Sequence, residues 1–198
     1  MNGSLTDDTP YISYRKDIAT LPPSHDADVM KFFDTLQHGT DDEAAAAIAA
    51  WPFDITDDAC EYLKPLLLDY TRAALSRSPL SATVLRALVQ AGYTPTQLLW
   101  AASNSACEVP STYEAILETF GAAADCGWIH PFGHKESLLH RVANWFGTEQ
   151  GAALVELLVR HGAPRDAKTV TGETALDWFR ALYPDHGIAN PRVLALLA

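Results

Sequence analysis

The chain reads as all-α: an α-solenoid of about five stacked helix-turn-helix repeats, each too small to bury its apolar face without its neighbours. Three observations predict this. Apolar residues recur at helical spacing, Tyr113, Ile116, Leu117 and Phe120 in one stretch and Val155, Leu158 and Val159 in another. Glycines follow these apolar stretches at Gly92, Gly121 and Gly162, where a left-handed residue closes a last helical turn. A hydroxyl-bearing start also lies 25 residues before a glycine exit twice, Thr96 to Gly121 and Ser137 to Gly162. Strand signals are weak throughout.

Residues 1–25 include Pro10, Pro22 and Pro23 and read as an irregular arm, whose Tyr11, Ile12 and Tyr14 are expected to pack on the single domain that follows, 26–198, the alternative being contact with a partner. The first helix pair is expected over 28–38 and 42–51, joined by Gly39-Thr40-Asp41-Asp42-Glu43-Ala44. The second pair falls at 57–75 and 81–91. Pro65 kinks or ends its first helix, and Gly92 closes its second. Thr96 opens the third pair, 96–105 and 111–120, and Ser137 the fourth, 136–146 and 150–161. Thr174 caps the fifth, 173–182 and 189–197.

Gly162-Ala163-Pro164-Arg165-Asp166-Ala167-Lys168-Thr169, running into Gly172-Glu173-Thr174-Ala175-Leu176-Asp177, resembles the junction between two ankyrin repeats. That family has a Thr-Pro-Leu-His helix start, a Leu-Leu pair on the second helix and a Gly-Ala-Asp exit. Ser137-Leu138-Leu139-His140 and Thr96-Gln97-Leu98-Leu99 are degenerate starts. Leu157-Leu158 with Gly162-Ala163, and Ile116-Leu117 with Gly121-Ala122, are the exits. Both copies carry a few residues more than the family pattern between their helices, around 104–111 and 145–151. The resemblance implies stacked helix pairs, a structural role for His140, and binding through the protruding fingers and adjoining inner helices. Gly127-Trp128-Ile129-His130-Pro131-Phe132-Gly133 occupies a finger position, so Trp128, Ile129 and Phe132 become candidate anchors, against the alternative that Trp128 and Phe132 fold back to cover a helix end.

Charge narrows the partner. Of the formal net charge of -11, residues 1–75 hold 14 acidic and 5 basic side chains, or -9, and 76–198 hold 11 and 9, or -2. Nucleic acid and anionic membranes are disfavoured, since phosphate contacts need clustered Lys and Arg. An acidic face instead suits a basic protein partner, with Asp41, Asp42, Asp57 and Asp58 as candidate contacts; the alternative is a face that serves solubility alone. Asp41 and Asp57 also stand where helices begin, and carboxylates favour that end of the dipole.

Chemistry is absent from the motifs: there is no nucleophile elbow, Walker loop, dinucleotide fingerprint or HExxH. Cys60, Cys107 and Cys126 give neither a disulfide framework nor a CxxC pair, and are read as reduced thiols in a cytoplasmic protein. Cys126, His130, His134 and His140 are weighed as a zinc cluster and set aside, because structural-zinc spacing is missing. The expectation is a non-enzymatic, monomeric protein-binding module without cofactor or metal, of which an immunity protein masking a basic toxin is the leading instance. A general adaptor or assembly scaffold is the alternative, and a metal-binding sensor or enzyme built on the Cys126 to His140 cluster the distant one.

Overall fold

The computed structural model describes residues 23–50, 71–103, 110–130, 134–182, 184 and 189–198. It is all-α: α1 Pro23–His38, α2 Asp41–Ala49, α3 Ala82–Gln90, α4 Pro95–Ser103, α5 Pro110–Phe120, α6 Leu138–Arg141, α7 Glu149–Arg160, α8 Ala175–Leu182 and α9 Pro191–Leu197. Residues 71–75 are helical, and short 3-10 turns occupy Gly121–Ala123 and Ala143–Trp145. Among the described residues the one bridge of strand type pairs Ile129 with Ser137.

The helices sort into two layers by what each one touches. Helices α2, α3, α5, α7 and α9 pack each on the next, and α4, α6 and α8 do the same beside them. Links within a pair, α4 to α5 and α6 to α7, hold the layers together. One continuous core fills the space between, with Leu36, Ile48, Leu85, Leu99, Ile116, Leu139, Leu154, Phe146 and Val193 among its buried side chains.

Helix starts share one device. Thr94, Thr174 and Thr40 each donate the backbone N–H to the side chain three residues on, and accept that residue's N–H at Oγ1. The partners are Gln97, Asp177 and Glu43, so two donors of each first turn are satisfied reciprocally. Helix ends share another. At Gly92, φ 115°, and Gly162, φ 93°, the glycine N–H reaches back three residues, and the next N–H five, to Leu88 and Leu158.

The sequence places the elements well and some details wrongly. Thr96 is not a cap: Pro95 takes the first helical position, where its missing N–H costs nothing, and the cap moves back to Thr94. The Thr96 hydroxyl instead accepts the Asp125 N–H at 3.0 Å, from the loop beyond the next helix. The continuous helix expected at 136–146 is a four-residue α6 followed by a 3-10 turn. α1 begins at Pro23, inside the stretch read as an irregular arm. Pro65 and most of the expected 57–75 helix lie outside the described residues, as do Cys60 and Cys107.

Arg77 fastens the first pair. Its guanidinium, only 8% exposed, donates to the Leu36 carbonyl at 2.8 Å, the Gly39 carbonyl at 2.7 Å and Asp41 Oδ1 at 2.9 Å. One cation thereby closes the end of α1, holds the turn and meets the acidic start of α2.

Candidate partner-binding surface

Two loops, called fingers below, connect successive helix pairs. The first leaves Asp125, whose Oδ1 accepts the Gly127 N–H at 2.8 Å. The His130 N–H donates to the Glu136 carbonyl at 2.9 Å. Lys135 takes a positive φ of 55°. The second turns over Thr169 to Glu173, with the Thr169 N–H on the Glu173 carbonyl and the Gly172 N–H on the Thr169 carbonyl, each at 3.0 Å. The Val170 N–H donates to the His134 carbonyl at 2.9 Å, so each finger is tied to the other.

Aromatic side chains gather along the base of this ribbon. The Trp128 ring meets Trp100 of α4 edge to face at 5.2 Å, and His130 packs on both, 5.3 Å from Trp100 and 5.5 Å from Trp128. From α6, the Arg141 guanidinium lies over Trp100 at 5.9 Å while Nη1 pairs with Glu136 at 3.2 Å. Further along, Trp178 of α8 stands 5.4 Å from His140 and 6.3 Å from His134. Trp100, Trp128 and Trp178 are half-buried, Ile129 is 39% exposed and Val170 58%. Half-buried aromatics beside exposed aliphatics supply apolar area whose geometry the fold already holds, the composition of an interface hot spot.

Each candidate residue has a definite place or none. Trp128 neither stands clear of the molecule nor enters its core: it leans on Trp100. Ile129 is exposed. Phe132, Asp57 and Asp58 lie outside the described residues. Asp41 is engaged by Arg77 and Asp42 is exposed. Glu43 holds the Thr40 box, whose backbone and hydroxyl hydrogen bonds pull its carboxyl below the usual range.

Sequence reasoning missed Trp100, Arg141 and Trp178. Two of them share a register, Arg141 following Ser137 by four residues and Trp178 following Thr174 by four, whereas Trp100 follows the true cap Thr94 by six. All three are long side chains on the face beside the fingers.

The four residues weighed for zinc serve other ends. Cys126 is buried, and burial, then the charge of Asp125, pushes its thiol up to about 11. His130 lies on the two indoles and His134 against Trp178. His140 has both ring nitrogens in use, Nδ1 with the Ser137 N–H at 3.2 Å and its hydroxyl at 2.8 Å, and Nε2 with the Glu173 carbonyl at 3.1 Å. A carbonyl only accepts, so the proton sits on Nε2 and Nδ1 is the acceptor. Among the described residues no three His, Cys, Asp or Glu side chains converge on a point where a metal could sit, and no helix is long and apolar enough to cross a membrane.

No protein-family model, curated protein or solved structure matches the chain.

Proposed function

We propose that the chain is an ankyrin-repeat module that binds another protein and catalyses nothing. Its two helix layers, recurring Thr boxes, glycine exits and tied fingers support the repeat reading. The bonds of His140 to Ser137 and to the carbonyl just before the next helix agree with the structural role that the resemblance implies for it. The observation that carries the functional reading is the patch of Trp100, Trp128, Ile129 and His130, presented at the junction of finger and inner helix. The partner is a basic protein: the finger patch supplies packed contact, and the acidic N-terminal half, with Asp42 exposed, supplies attraction at a distance. Neutralisation of a basic protein toxin in the cytoplasm, by a monomer, is the specific form of this reading.

Ile129→Asp tests it, because an exposed charge there spoils an apolar contact without touching the core. Wild type and variant serve as baits in the same cell extract, with captured proteins identified by mass spectrometry. A basic protein held stoichiometrically by wild type and lost from Ile129→Asp is the expected result. Equal retention by both baits overturns the finger as the binding face.

A further inference from the structure

His140 sits where the start of α6, the loop before it and the start of the next helix pair meet. Its Nδ1 accepts from Ser137, whose side chain is fully buried; its Nε2 donates to Glu173; its ring lies against Trp178. The next residue, Arg141, is the cation over Trp100. α6 has only four residues, so the hydrogen bonds at its first turn hold most of it in place.

We infer that His140 makes this junction proton-sensitive: a proton on Nδ1 turns the acceptor of the Ser137 N–H into a donor, opens the box that starts α6, and shifts Arg141 and the aromatic patch it covers. The proton comes from hydronium in the solvent, which gives up an O–H bond as the Nδ1–H bond forms and leaves as water; no bond between heavy atoms changes. Once Nδ1 carries a proton, the Ser137 hydroxyl can turn to accept it, but the buried Ser137 N–H loses its acceptor.

The surroundings set the direction. Burial holds the imidazole below the ordinary histidine range, and the Glu173 carbonyl and the charges of Glu136 and Glu173 oppose it. Helix α4, packed on one side, carries no ionisable side chain. On α8, Asp177 is held by Thr174 and Arg180 is exposed; on α7, Glu156 is paired with Arg160 and Arg192, and Glu149 with Asn190. Glu136 is shared with Arg141, so loss of that pairing and gain of a proton on His140 reinforce each other.

The test uses the free protein and is therefore independent of any partner. His130 and His134 also touch the reporting indoles, so both are replaced by Gln, and His140 ring signals and indole N–H signals are followed by NMR from neutral to acid pH. Trp100 and Trp178 are assigned with single Phe variants. The expected result is a His140 midpoint below the ~6.5 of a free histidine side chain, with the Trp100 and Trp178 signals moving over the same pH span. His140→Gln in that background copies the Thr94–Gln97 box without a titrating ring, and should remove the movement. A His140 ring that stays neutral until the protein unfolds, or titrates while Trp100 stays still, overturns the proposal. So does the same indole movement in His140→Gln. If that variant does not fold, the first titration still decides.

Discussion

Replacing Gly151 by Ala should destabilise the protein although it lies within a helix, where the exchange ordinarily gains up to about 1 kcal/mol. Gly151 occupies the third position of α7, and its N–H donates to the capping Thr148 Oγ1 at 2.9 Å. A Cβ there would stand 1.8 Å from the Trp145 carbonyl oxygen, 2.5 Å from its carbon and 3.0 Å from its Cβ. The obstacle is main chain, so no rotamer relieves it. That same oxygen accepts from the Thr148 N–H at 2.9 Å and the Thr148 hydroxyl at 3.0 Å, so moving it also disturbs the cap. Overpacking of this kind costs about 1–3 kcal/mol; taking the upper end for a backbone clash and subtracting the helical gain leaves a net loss of about 2 kcal/mol. For a chain of this length that is a fall of roughly 4–8 °C in melting temperature. Thermal melts by circular dichroism read it directly, with Gly147→Ala as control, since a Cβ at Gly147 meets nothing within 4 Å. A Gly151→Ala protein that melts with or above wild type would refute the close approach of α7 to Trp145.

Arg77→Ala leaves two carbonyls and Asp41 without their cation and should cost about 2–4 kcal/mol, the exposed Asp41 side of the pair adding little; Arg77→Lys should recover only part in the same urea titration, because one ammonium cannot span all three oxygens. Ile129→Ala should leave stability within about 0.5 kcal/mol yet weaken the partner by roughly thirtyfold if it is a hot spot, whereas Trp128→Ala, stripped from Trp100, should lower both the melt and the affinity by calorimetry. Because the folded protein holds His140 below its unfolded value, protonation favours the unfolded chain: the contribution is full above about pH 6.5 and fades as pH falls through the folded pKa, so melting temperature should drop over that window and drop less in His140→Gln. Asp42→Asn should slow association with a basic partner, as added salt does, and leave dissociation unchanged in stopped-flow kinetics.

The elements were readable because their boundaries are written in local chemistry. Gly92, Gly121 and Gly162 all take positive φ, and Thr174 caps its helix through its hydroxyl, while Ser137 starts α6 with its hydroxyl on the His140 ring instead of on a first-turn N–H. Thr96 misled because two threonines flank a proline, and only the preference of proline for a first turn decides between them. The broken 136–146 helix was hidden by an apolar pattern that a short helix followed by a 3-10 turn satisfies equally well. The finger could be located, yet Trp100, 28 residues before Trp128, joins it only through the stacking of one helix pair on the next, which local periodicity does not encode. Arg77 was silent for the same reason: its carbonyl partners lie 41 and 38 residues back.

The Val170 to His134 bond gives the molecule a second mechanical path. Force applied along the array at the helices passes through interdigitated side chains, which yield by sliding. Force applied at the fingers also passes through a main-chain hydrogen bond, short and directional. A load on one loop is therefore passed to the other through main chain as well as through packed side chains.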